Sequence, residues 1–279
     1  MTSDEPHDDD RMATPEDLLI IPSKRPRRGL GYIPDPHDER DLKARTMFGA
    51  RRGLPVEAMD LEACVPGVVD QGMTSSCVGQ AIGGAIDTRI RRLGRWDAPL
   101  VSRQAIYTFA RSLDRESKSE RLVDSGTSPR AAMKGLRTWG VPTAARWPFD
   151  PATINDPLPW DVMQQASAFA ISAWYRIDSS GKERVEDMCQ AFAVGYPVAF
   201  GVTVDEAFMD AGKAPIESLD PTKAVGGHMM YALGYKTSGG ERLIRCVNSW
   251  GVGWGDSGLF WAREAFFRAA SDCYVIQVG

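Results

Sequence analysis

One cysteine in this chain is placed for nucleophilic chemistry. In the stretch VVDQGMTSSCVGQAI, residues 68–82, Cys77 follows Thr74, Ser75 and Ser76 and opens an apolar run. Val78, Ala81, Ile82, Ala85, Ile86, Ile90 and Leu93 recur at three- and four-residue steps, which predicts an amphipathic helix from Cys77 to Leu93. Ser75 or Ser76 can cap its start, Arg89, Arg91 and Arg92 suit its last turn, and Gly94 stops it. A thiol at a helix N-terminus meets unpaired backbone N–H groups and the positive end of the helix dipole, and both favour the thiolate. A free cysteine is more often a small buried hydrophobe, so the nucleophilic reading needs a base.

The sequence offers three histidines. His7 lies in an acidic tail, and His37 lies in PDPHDERD, upstream of the folded region. His228 opens the apolar stretch HMMYALGYK behind Gly226 and Gly227, which permit close backbone approach. Downstream, VNSWGVGWGDSGLF spans residues 247–260, and 248 − 228 = 20, the length of one β-hairpin. Asn248 can therefore lie beside His228 on the next strand and orient the imidazole by a hydrogen bond. Trp250 can shield that bond from water and so strengthen it. Gln71, six residues before Cys77, can join the Cys77 backbone N–H as an oxyanion hole.

These residues need a scaffold. The chain has 279 residues, 43% of them hydrophobic and 25% charged, as expected of a soluble globular protein with a sizeable core. A net charge of −4 argues against a nucleic-acid-binding surface. No apolar run is long enough to span a bilayer, and MTSDEPHDDDRM carries no secretory apolar region, so a cytoplasmic location, or export by a route that needs no cleaved signal, is expected, without membrane partners. The five cysteines (Cys64, Cys77, Cys189, Cys246 and Cys273) form no CxxC pair and no disulfide framework. With three histidines, a Cys/His metal site has little to build from, and no cofactor is expected.

Residues 1–29 read as a charged tail. An acidic block (Asp4, Glu5, Asp8, Asp9, Asp10), the apolar patch LLIIP and the basic cluster KRPRR follow one another, so a disordered or loosely docked tail is expected, a solvated linker first and a docking segment for a protein partner second. Residues 30–53 form a lead-in whose prolines argue against an early helix, semi-ordered at best, and 54–279 form the folded domain. Further helices are expected over 102–116, 129–139 (Ser128 as cap, Pro129 at the first position, Gly140 past the end) and 182–194. The second half turns to strands at 168–177, 197–204, 228–236, 242–250, 258–262 and 273–278, with a hairpin turn at Ser238–Gly240. Helices first and strands later is an α+β pattern.

DQGMTSSCVGQA, GGHMMYALGY and VNSWGVGWGDSGLF together resemble the cysteine, histidine and asparagine segments of papain-like cysteine peptidases. Here 228 − 77 = 151 and 248 − 77 = 171, slightly beyond the usual separation. The resemblance runs from about residue 54, at LPVEAMDL, to the end. It implies a two-lobed fold, with a mainly helical lobe and an antiparallel β-rich lobe flanking a cleft. It implies Cys77 as nucleophile, His228 as general base, Asn248 as orienting residue, Gln71 in the oxyanion hole and Trp250 beside the asparagine. Through DSGTSPRAAMKGL it implies that Gly126 pairs with the substrate backbone, and Met229 is placed to line a specificity pocket. Three features depart from the pattern: Thr74 stands where secreted members commonly carry a cysteine, Val78 replaces an aromatic, and the lead-in is short, in the style of bacterial members. The activity implied is hydrolysis of peptides or proteins through a thioester. The same triad serves acyl transfer, peptide ligation or deamidation, and the fold can also carry an inactive binding module.

Overall fold

The computed structural model describes residues 28–48, 58–114, 121–166 and 169–279. The acidic block, LLIIP, most of KRPRR and the first four residues of LPVEAMDL lie outside the described residues. In chain order the elements are α1 (Ala44–Phe48), β1 (Ala58–Asp60), α2 (Cys77–Arg92), α3 (Arg103–Asp114), α4 (Pro129–Trp139), α5 (Trp160–Ala166), β2 (Ile171–Ile177), α6 (Gly181–Ala193), β3 (Val198–Asp205), α7 (Glu206–Met209), β4 (Ala224–Ser238), β5 (Glu241–Val247), β6 (Leu259–Arg263) and β7 (Ser271–Val278).

The local signals act where expected. In α4 the Ser128 hydroxyl accepts from the Ala131 N–H, Pro129 opens the helix and Gly140 closes it at φ 76°. Gly239 and Gly240, both at positive φ, turn β4 into β5, pairing Ser238 with Glu241. The start of α2 differs from expectation. Ser76 occupies the cap position, but its hydroxyl makes no capping bond and instead meets Thr74 Oγ1 at 2.8 Å and Gln80 Nε2 at 3.2 Å. The first N–H groups of α2 are thus left free of a side-chain cap.

The strands form one antiparallel sheet in the order β2-β7-β3-β4-β5-β6, with β1 added to the far end of β4. Two cores flank it. One packs α2 and α4, through residues such as Ile82, Ile86, Met133 and Leu136, against Tyr231 and Leu233 of β4. The other joins α6 to the opposite face of the sheet through Phe192, Phe200, Tyr235 and an aromatic group of Phe208, Trp250, Trp254, Phe260 and Phe266. This is the α+β, two-lobed arrangement, with a helical lobe and an antiparallel β-rich lobe.

The lead-in is far better tied down than its sequence implies. Residues 28–35 run extended across the junction of the lobes. The Ile33 N–H donates to Thr127 O at 3.1 Å and the Thr127 N–H to Gly31 O at 2.9 Å, a parallel bridge. Gly31 and Tyr32 both donate to Gly227 O at 3.1 Å. The prolines do preclude helix here, and α1 begins only at Ala44. Order comes from partners distant in sequence, which no local pattern reports.

Candidate active site

Two elements meet at the site, the N-terminus of α2 and the β4–β5 hairpin. Cys77 and His228 are both fully buried. His228 Nε2 lies 2.8 Å from Asn248 Oδ1. The Ser249 N–H donates to that same oxygen at 2.7 Å, which identifies it as the acceptor atom. Nε2 therefore carries the proton, and Nδ1, with no hydrogen-bond partner among the described residues, keeps its lone pair. Trp250 stacks on the imidazole with ring centroids 4.4 Å apart and planes 22° from parallel. The hairpin spacing thus brings Asn248, Trp250 and His228 together as expected. On this geometry Asn248→Ala is expected to cost about ten-fold in turnover, the worth of one buried hydrogen bond. Steady-state kinetics with an unchanged thermal unfolding profile would check it.

Gln71 is buried and held at both ends. Its Oε1 accepts from Ser249 Oγ at 2.5 Å, and its Nε2 donates to Thr74 O at 2.7 Å and to Gly29 O at 3.1 Å. Thr74, at the position of the missing cysteine, donates through Oγ1 to Gln71 O at 2.8 Å, so a hydroxyl braces this loop. One amide hydrogen of Gln71 is thus taken up by a carbonyl of the lead-in. Gly126 stands at φ 84°, and a Cβ there would meet Gly31 O at 2.3 Å. It provides close approach, while Thr127 makes the backbone bonds. Met229 is fully buried.

The covered site is electrically quiet. Burial pushes the Cys77 thiol up to about 11, against the pull of the Met229, Gly31 and Val78 backbone hydrogen bonds. Burial lowers the His228 imidazole to about 4, against the Asn248 hydrogen bond. Near pH 7 both groups are neutral.

An ionic and phenolic cluster fastens the lead-in. Asp272 Oδ2 accepts from Tyr32 OH at 2.5 Å and from the Asp35 N–H at 2.7 Å, while its Oδ1 pairs with Arg176 Nη2 at 2.7 Å. Tyr274 OH donates to Asp35 Oδ2 at 2.8 Å, the Arg130 N–H donates to the Asp35 carboxylate, and Arg130 forks onto Asp41. Burial first, and then the facing Asp272 carboxylate, raise Asp35 from 3.8 to about 6, against Tyr274 and Arg130. A carboxyl raised on docking favours the docked state at low pH. That contribution is fully present below about 3.8 and is lost as pH rises through about 6. It is worth roughly 3 kcal/mol. Between pH 4 and 7 the wild-type chain is expected to lose stability relative to Asp35→Asn, whose side chain stays neutral. Paired thermal denaturation across that range would check it, and parallel profiles would refute it.

The sequence pattern did not single out Tyr32, Thr127, Gly201, Ser271 or Asp272. A weak signal was present: small residues alternate in GLGY, and one glycine interrupts the bulky strand VAFGVTV.

Comparison with known proteins agrees with this arrangement. A family model described as papain family cysteine protease matches residues 56–275. An uncharacterized peptidase C1-like protein of Acanthamoeba polyphaga mimivirus is 28% identical over 220 residues, covering 75% of this chain and 69% of that one. Xylellain, a cysteine protease from Xylella fastidiosa, superposes with a TM-score of 0.75 at 26% identity, covering 92% of this chain and 98% of its own. Digestive procathepsin L 3 from the Tenebrio molitor larval midgut shares the fold at a TM-score of 0.66 and 18% identity, over 90% of this chain and 76% of its own. The family match runs through both lobes and spans Cys77, His228 and Asn248, so the chain belongs to the papain family of cysteine proteases and is a cysteine-type peptidase.

Proposed function

We propose that the protein hydrolyses peptide bonds through a thioester on Cys77 and that residues 28–35 hold the site closed until displaced. The observation that carries this reading is the His228 tautomer. Asn248 and Ser249 fix the proton on Nε2, which leaves Nδ1 as a base. With the cleft open, the Cys77 S–H proton passes to Nδ1, and the sulfur attacks the carbonyl carbon. The Gln71 Nε2–H and the Cys77 backbone N–H take the developing negative charge. The imidazolium gives its proton to the departing amine nitrogen as the C–N bond breaks. Water, deprotonated by His228, then attacks the thioester and returns the thiol. All five cysteines are free and buried, which fits a reducing compartment such as the cytoplasm. Among the described residues no helix is long and apolar enough to cross a membrane.

Mass spectrometry of products from a peptide mixture tests the reading. Pairs of cleavage fragments whose masses sum to the parent peptide plus one water are expected, and ligated or deamidated peptides in their place would contradict it.

A further inference from the structure

A glutamine interrupts the buried face of α2 shortly after Cys77. Gln80 is 2% exposed, among Val78, Ala81 and Ile82, and a primary amide buried there is costly unless both its ends are paired. One end is. Thr74 Oγ1 donates to Gln71 O, a carbonyl that can only accept, so the 2.8 Å bond between Thr74 Oγ1 and Ser76 Oγ is donated by Ser76. Ser76 Oγ in turn accepts from Gln80 Nε2 at 3.2 Å. This direction of bonds fixes the Gln80 amide and leaves its Oε1 as a buried acceptor with no partner among the described residues. Asn248 is its complement. Its Oδ1 is taken by His228 and by the Ser249 N–H, and its Nδ2 is a buried donor with no partner among the described residues. Both residues line one cavity of about 10 Å³ between α2 and the β4–β5 hairpin. That is room for a single water. Arg103, whose buried Nε also lacks an acceptor among the described residues, lines the same cavity.

We infer that one water held in this cavity ties Gln80 to Asn248, and that Gln80 is thereby a positioning residue for His228. The inference rests on the peptidase reading above. The water accepts from Asn248 Nδ2–H and Arg103 Nε–H and donates to Gln80 Oε1, about three partners, as buried waters ordinarily have. Asn248 Oδ1 holds the imidazole N–H, and the water holds the other end of the same amide. With both ends held, the amide cannot turn over and present Nδ2, a donor, to the Nε2–H of His228, also a donor. Gln80 touches no reacting atom. It lets the helix that opens with Cys77 fix the orientation of an imidazole carried by the facing hairpin, so nucleophile and base are set by one hydrogen-bonded network. An apolar side chain at this position would leave Asn248 Nδ2 unpaired in a buried site.

The test is a double-mutant cycle in the full chain, read by turnover of a fluorogenic peptide. Methionine is close to glutamine in length and volume and supplies neither amide donor nor carbonyl acceptor. Gln80→Met is expected to lower kcat by about five-fold with KM changed by less than about two-fold. In an Asn248→Ala background the same substitution is expected to change kcat by less than about two-fold, because its effect runs through the Asn248 amide. A loss that persists undiminished in that background overturns the inference and assigns Gln80 to the support of Ser76 and the helix alone. Unchanged kcat in Gln80→Met overturns it as well, and both outcomes leave the peptidase reading intact. Should no peptide be turned over, by wild type or by Gly31→Leu, the peptidase reading fails and the bridge is read from the imidazole proton. Isotope-resolved NMR of the histidine side chains then follows the His228 Nε2–H, whose exchange with solvent is expected to be about ten-fold faster in Gln80→Met than in wild type. Equal exchange rates overturn the inference.

Discussion

Replacing Cys77 by alanine is expected to lower peptide turnover by about 10⁴-fold or more, to the background of the assay. The magnitude follows from the proposed chemistry. Removing the sulfur deletes the only atom placed to form the thioester, while Gln71 and the α2 N–H groups remain and stabilise charge without a nucleophile. The fold is expected to survive. Cys77 is a small, fully buried residue in the first core, and its loss is worth about 1 kcal/mol. Thermal unfolding close to that of wild type, measured with the kinetics, would separate loss of chemistry from loss of structure. Residual turnover within ten-fold of wild type would remove Cys77 from the mechanism.

Gly31→Leu is expected to act in the opposite direction and raise the turnover of the full chain by on the order of 10²-fold. Gly31 lies flat against the loop that precedes α2. A Cβ there would meet Ser75 O at 2.0 Å and Ser75 Cβ at 2.6 Å, and backbone cannot yield as the end of a flexible side chain can. Gly31 also anchors the segment through bonds to Thr127 and Gly227, so displacing it loosens the backbone pairing and withdraws Gly29 O from Gln71. Uncovering the site removes the desolvation that holds the thiol at about 11 and the imidazole at about 4, and both move toward the values that permit an ion pair. Unchanged turnover would mean that the lead-in does not limit access.

How much of this was legible before the structure depends on the distance between partners. Local features were. The apolar steps after Cys77 set α2, the Ser–Pro…Gly punctuation set α4, and the 20-residue spacing placed Asn248 against His228 through a single hairpin. Where the reading needed atoms rather than patterns it was coarser. Ser76 stands at the cap position but spends its hydroxyl on Thr74 and Gln80. At Gly126, expected to pair with a substrate backbone, the glycine signals close approach, and it is Gly31 of the lead-in that lies against it while Thr127 bonds that segment. The lead-in was least legible of all. Tyr32 finds Asp272 across 240 residues, and Arg130 finds Asp35 across 95. Extended backbone paired with distant strands leaves no period in the sequence.

Site-resolved alkylation of the five cysteines tests the central claim, that Cys77 is a reactive thiol kept covered by residues 28–35. Wild-type chain and Gly31→Leu would each be exposed briefly to iodoacetamide near pH 7, and each cysteine quantified by peptide mass spectrometry. In Gly31→Leu, Cys77 is expected to label at least about ten-fold faster than Cys64, Cys189, Cys246 and Cys273, whose burial raises their thiols with no helix N-terminus to oppose it. In the wild-type chain that lead is expected to shrink or vanish. Comparable labelling of all five in Gly31→Leu would contradict the account.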